Sequence, residues 1–188
     1  MEKTQKISTK KIVLVALMAA LTFVGSGLRI KLPVSILGTT AFHLGNIFCA
    51  LSGILLGPSL GGLAAGLGSM IYDMMDPIYI DECLITFAMK GVYGLVVGLI
   101  AWAGKNRDGY VKMTLATVAG ALSYAVLYLA KNFIKGVLVK GLVPAAAAIA
   151  LLEKVPATTF NAIVAIVFAP MLASAIRTAL KKNHLSLD

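Results

Sequence analysis

Lys90 is the residue whose chemistry most needs an account. It stands between Phe87 and Tyr93-Gly94, about two turns into an apolar run at 83–103. An ammonium group at such depth in a lipid-spanning helix is costly unless it is paired or faces a polar cavity. The plainer alternative is a stem that snorkels to the surface. In the run at 113–134, Tyr124, Tyr128 and Asn132 recur at helical spacing and share one face; aromatic faces can stack a flat ring and an amide can read its edge. An interfacial aromatic belt would explain Tyr128 but explains the deeper Tyr124 less well. Lys154, Thr158 and Asn161 fall on one face of the last run. His43 and Asn46 open the second, where His43 reads as a solvated or capped residue and Asn46, one turn deeper, needs a partner. Asp73 and Asp76 precede Pro77-Ile78-Tyr79, where a helix stopped by proline with solvated carboxylates is the simple reading. Together these groups read as a binding pocket for one small, flat, polar molecule, with Lys90, Tyr93, Tyr124, Tyr128, Asn132, Asn161 and Asn46 as the candidate substrate-binding residues.

Nothing in the pattern looks like chemistry performed on a substrate. There is no HExxH, no GxSxG and no metal-spaced cluster of His, Cys and Asp. Cys49 and Cys83 form neither a disulfide framework nor a CxxC site, and read as small, apolar-compatible side chains. No Walker sequence is present, so energy must come from a gradient or a partner. The expectation is a protein that is not an enzyme and uses no cofactor or metal.

The elements that must position these side chains are set by composition. The chain is 59% hydrophobic and 13% charged, with a mean hydropathy of +0.90. One small water-soluble core cannot bury that excess, so lipid must solvate much of the surface. The net charge of +9 does not indicate nucleic acid, because Lys and Arg gather at the ends of apolar runs with few aromatics between them. The reading is an all-α membrane protein, a six-transmembrane-helix bundle in one domain over 1–188, with helices near 12–30, 42–57, 60–76, 83–103, 113–134 and 154–178. The second and third are short and joined by Gly57-Pro58-Ser59, which favours a tight hairpin over a re-entrant pair. Apolar residues 145–152, after Pro144, are too few to span and are expected as a short helix or loop on the outer end. The run from Ile12 to Leu28 ends without an A-x-A pattern and reads as a retained helix rather than a signal peptide.

Charge bias sets the orientation. With cytoplasmic N- and C-termini, the inner side holds Lys3, Lys6, Lys10, Lys11, Lys105, Arg107, Lys112, Arg177, Lys181 and Lys182. The remaining seven, Arg29, Lys31, Lys90, Lys131, Lys135, Lys140 and Lys154, lie outside or within spans. Of the acids, Glu2, Asp108 and Asp188 then fall inside, while Asp73, Asp76, Asp81, Glu82 and Glu153 gather at or near the outer mouth. Gly62-x-x-x-Gly66, Gly94-x-x-x-Gly98 and Ala16-x-x-x-Ala20 are small-residue pairs that let helices approach closely. For each, ordinary packing within the chain is the first explanation. Leu14, Val15, Leu17 and Met18 give the last pair an apolar setting beside the cytoplasm, a place for a partner helix.

In order along the chain come the Lys-rich start leading to Ala16-x-x-x-Ala20, His43-Leu44-Gly45-Asn46, Leu56-Gly57-Pro58-Ser59-Leu60-Gly61-Gly62 and Lys90-Gly91-x-x-Gly94. Over about residues 8–180 this order resembles the substrate-binding (S) components of energy-coupling factor (ECF) vitamin transporters, and within them the hydroxymethylpyrimidine or pyridoxine type. The resemblance implies a multi-pass protein of the bacterial cell membrane that captures a vitamin or precursor from outside. It implies docking through Ala16 and Ala20 on a transmembrane T protein driven by two cytoplasmic ATPases, and toppling to release the cargo. Pantothenate, thiamine-related thiazoles and riboflavin remain open as substrates. The alternatives are a stand-alone proton-coupled secondary transporter of a small heteroaromatic compound, using Glu153 or Asp73, and a non-transporting membrane scaffold.

Overall fold

The computed structural model describes residues 8–32, 36–104 and 107–184. Lys3, Lys6, Lys105, Glu2 and Asp188, used above for orientation, lie outside the described residues. The chain runs as α1 (Thr9–Gly27), β1 (Arg29–Lys31), β2 (Ala41–His43), α2 (Gly45–Met75), α3 (Cys83–Trp102), α4 (Tyr110–Ile134), α5 (Pro144–Ala150) and α6 (Val155–Lys182). A 3-10 turn, Ile80–Glu82, leads into α3; a π-helical turn, Lys135–Val139, extends α4; another 3-10 turn, Leu151–Glu153, joins α5 to α6. Among the described residues, five helical segments are long and apolar enough to cross a membrane: α1, α2, α3 with its lead-in, α4 with its extension, and α6.

The second and third expected spans are one hydrogen-bonded element, α2, broken at Gly57. Gly57 has φ 79° and ψ −173°, a conformation that suits glycine because it lacks a Cβ. The chain doubles back there. Cys49 Sγ and Ser69 Oγ are 3.8 Å apart, whereas twenty residues of straight helix would separate them by about 30 Å. Pro58 then leaves an orphan, because it has no N–H to donate to the carbonyl of Ile54 one turn earlier. That oxygen accepts instead from Trp102 Nε1 at 2.9 Å and Arg177 Nη2 at 2.7 Å. Side chains from α3 and α6 thus complete the backbone bonding of the bend.

The arms of α2, residues 45–56 and 58–75, form the centre of the bundle. In its most apolar stretch 67% of α2 is buried, against 28–33% for the other four spans. Close approach explains the glycines. A Cβ on Gly94 would sit 2.8 Å from the Gly61 carbonyl oxygen, and one on Gly98 would sit 2.5 Å from Pro58 N. Gly62 and Gly66 lie as close to the carbonyls of Gly91 and Phe87. The small-residue seams of α2 and α3 are therefore contacts within this chain. Outward faces stay apolar, as with Leu84, Leu122, Val126, Ile163 and Leu172, which lipid can cover.

Two expected helix boundaries change. Residues 29–31 and 41–43 are not helical but pair antiparallel, Arg29 with His43, Ile30 with Phe42 and Lys31 with Ala41. The all-helical expectation therefore gains a two-stranded ribbon, whose backbone groups satisfy each other where the helices stop. Gly68 packs on Ala19 and Thr22, and Gly27 on Tyr72, so α1 runs parallel to the 58–75 arm. The start of α1, the bend at Gly57 and the end of α6 consequently share one end of the bundle. The ribbon, the end of α2 and the start of α3 share the other.

Candidate functional site

A cavity of about 210 Å³ lies at the ribbon end, walled by the segment Leu37–His43 and by side chains from α2, α3, α4 and α6. Of the sequence-derived candidates, Lys90, Tyr124, Tyr128, Asn132 and Asn161 line it; Asn46 and Tyr93 do not. Asn46 is 1% exposed and uses its Oδ1 to accept from Lys90 Nζ. Tyr93 is fully buried, and its hydroxyl has no hydrogen-bond partner among the described residues. It stacks behind Tyr124 at 5.9 Å between ring centroids, and Tyr124 stacks on Tyr128 at 5.8 Å. Lys90 Nζ lies 3.9 Å from the Tyr124 centroid. Both residues therefore support the cavity from behind.

Lys90 does not snorkel. It is 3% exposed and held between an amide oxygen and an aromatic face, two groups that favour an ammonium without neutralising it. The amides of Asn132 and Asn161 have structural partners. Asn132 Nδ2 donates to the carbonyl of Tyr128 at 2.8 Å. Asn161 clamps β2, accepting from His43 N–H at 2.9 Å and donating to the Ala41 carbonyl at 3.0 Å. An amide reproduces the donor and acceptor of a peptide group, so Asn161 bonds β2 much as a neighbouring strand would. Tyr128 donates to Thr40 Oγ1 at 3.2 Å and Lys154 to the Gly38 carbonyl. Two side chains predicted to meet a ligand, Tyr128 and Asn161, thus also hold the 37–43 wall in place.

The solvated reading of Asp73 and Asp76 is overturned: both are buried. The ribbon brings Arg29 to 3.9 Å from Asp73 and Lys31 to 2.8 Å from Asp76. Arg29 also lies over the rings of Tyr72 and Tyr79, at 3.9 and 4.9 Å. Glu82 pairs with Lys131 at 2.6 Å and with Lys135 through its other oxygen. Sequence reasoning assigned none of Arg29, Tyr79, Glu82, Lys131 and Lys135 to the pocket. The i, i+4 spacing of Lys131 and Lys135 was a usable signal; the partners of Arg29 and Lys31 depend on strand pairing and were not visible.

Titration outside the spans follows the same field. Burial, then the nearby charges of Lys90 and Arg29, pushes His43 well below its usual pKa. The ring is therefore neutral, and its Nδ1 accepts from Gly45 N–H at 3.1 Å; His43 is not solvated but lines the cavity. Burial raises Tyr79 to about 12. Burial, reinforced by Lys131, lowers Lys154 to about 8.

Along the middle of α1, Ala16 and Ala20 are exposed, with Ile12, Val13 and Leu17 beside them. Met18 does not belong to that face: it is buried in the core, with Leu14 and Val15 packed against the same cluster.

An apolar helical bundle with a polar cavity at one end is the form of a membrane binding protein. Residues 6–178 match the family described as ECF-type riboflavin transporter, S component. The chain belongs to that family. It is accordingly a multi-pass membrane transport protein of the substrate-binding S class, a family of transporter components rather than enzymes. A protein of Pyrococcus woesei described as an uncharacterized protein in the gap 3′ region is 31% identical over 106 residues. The match covers 56% of this chain and 66% of that relative, slightly under two thirds of its length.

Proposed function

We propose that this chain is the substrate-capture subunit of an ATP-driven ECF importer for a small heteroaromatic vitamin or vitamin precursor. The observation that carries the reading is the cavity, in which Lys90, Tyr124 and Tyr128, with Tyr93 stacked behind Tyr124, face a polar wall inside an otherwise apolar bundle. Hydroxymethylpyrimidine and pyridoxine, single rings with hydroxymethyl groups, suit about 210 Å³ better than the fused rings and ribityl chain of riboflavin, the vitamin in the family's description. In the membrane, the arms of α2 supply the second and third of six crossings, with the cavity end outside and both termini cytoplasmic. The 45–56 arm is only about 18 Å long, so the ribbon and the 37–43 wall fill the remaining depth above it. The exposed Ala16–Ala20 row is the docking surface for a transmembrane T protein, which two cytoplasmic ATPases drive.

A stand-alone proton-coupled transporter fits less well. Its candidate acids are Asp73, which lies against Arg29, and Glu153, which is exposed at the bundle's end. Equilibrium binding to the purified protein, with hydroxymethylpyrimidine, pyridoxine and riboflavin compared, tests the capture function. Saturable binding of one of them supports it. Failure of all three, with no vitamin among the small molecules retained on purification, refutes it.

A further inference from the structure

The cavity carries more positive charge than its own acids balance. Arg29, Lys90, Lys131 and Lys135 line it, against Asp73 and Glu82. Glu82 is shared by Lys131 and Lys135, one oxygen each. Arg29 reaches Asp73 only at 3.9 Å. Lys90 has no carboxylate within ion-pair distance among the described residues; its Nζ meets the neutral Asn46 amide and the Tyr124 ring. The neutral His43 adds no charge, and Tyr79 stays protonated and so removes none. A buried cation held by dipoles alone is costly, and the cost falls when a counter-charge arrives.

We infer that the ligand supplies that counter-charge: a flat heteroaromatic molecule bearing an anionic oxygen, either an ionised ring hydroxyl or a ring carboxylate, placed against Lys90. The inference rests on the capture function proposed above and narrows its substrate class. Of the two ring systems proposed, it favours the 3-hydroxypyridine of pyridoxine, whose ring hydroxyl ionises, over the uncharged hydroxymethylpyrimidine. A hydrogen bond to a charged group is stronger than its neutral counterpart, and the difference corresponds to about tenfold or more in affinity.

The test is calorimetric titration of the detergent-purified protein with matched pairs at pH 7. One pair is pyridoxine and its 3-O-methyl ether, which keeps the oxygen but cannot ionise. The other is hydroxymethylpyrimidine and the corresponding pyrimidine carboxylate. The expected result is that the ionisable member of each pair binds about tenfold or more tightly, and that Lys90→Met brings each ratio to within about twofold. The comparison within wild type stands even if Lys90→Met fails to fold. Equal or tighter binding of the neutral members overturns the inference while leaving capture of a vitamin intact. Survival of the ratios in a folded Lys90→Met protein removes Lys90 from the inference. Absence of binding by every member, with riboflavin also silent, overturns the capture function itself.

Discussion

Glycine-to-alanine substitution at two positions in the α2–α3 seam should move stability in opposite directions. At Gly53, a new Cβ would collide with the carbonyl oxygen of Gly94 and lie 2.9 Å from Val97 Cβ and 3.0 Å from Gly98 N. Two of these three obstacles are backbone, so relief requires the helices to separate. Overpacking of this kind costs about 1–3 kcal/mol, against roughly 0.5–1 kcal/mol gained because alanine suits a helix interior better than glycine. The net expectation for Gly53→Ala is a loss of about 1–2 kcal/mol. At Gly91, the nearest atom to a new Cβ is the Gly62 carbonyl oxygen at 3.6 Å, an ordinary contact, so Gly91→Ala should keep the helix gain of about 0.5–1 kcal/mol. At about 2–4 °C per kcal/mol for a chain of this size, Gly53→Ala should melt about 2–8 °C lower and Gly91→Ala about 1–4 °C higher. Trp102 is the only tryptophan and its ring packs on Gly57, so its fluorescence in detergent reports melting directly. If the two variants shift in the same direction, the seam is not the close backbone contact described and the reasoning fails.

Replacing both Ala16 and Ala20 with Trp should leave melting within about 2 °C of wild type, because both are exposed and surface changes are nearly neutral. The same double variant should no longer co-purify with the T protein and ATPases; an intact complex would refute the docking role. Asn161→Ala removes the donor and acceptor that clamp β2, and should cost about 1–3 kcal/mol and weaken ligand binding, read by thermal shift with and without ligand. Lys154 has a folded-state pKa lowered from 10.5 to about 8. Between those values the unfolded chain binds the proton that the folded chain has released, so this residue makes stability rise with pH across that window. Lys154→Met should remove that part of the slope, and an unchanged slope in denaturation at pH 7 and pH 10 would refute the assignment.

Residues visible from sequence were those whose type clashes with their surroundings. Lys90 in an apolar run, and Tyr124, Tyr128 and Asn132 at helical spacing, stood out because lipid makes a polar group conspicuous. Gly57-Pro58 marked the reversal of α2, since proline lacks the N–H that a helix needs. The ribbon escaped notice because strands of three residues, Arg29–Lys31 and Ala41–His43, are too short to show a period of two. With the ribbon went the burial of Asp73 and Asp76, which depends on where Arg29 and Lys31 are carried. Asn46 and Tyr93 illustrate a different difficulty. Helical spacing puts a residue on a face, but its depth behind that face depends on the rotamer and on the neighbouring helix.

The carbonyl of Ile54 ties the bend of α2 to Trp102 of α3 and Arg177 of α6, and Arg177 reaches on to Asp108 before α4 at 3.1 Å. A fold-back tip could otherwise bend independently of its neighbours. Fastened this way, it works like a keel bolted to the ribs on either side. Any displacement of the bend would therefore be shared by α3 and α6, which also wall the cavity, so those walls would move together rather than against one another.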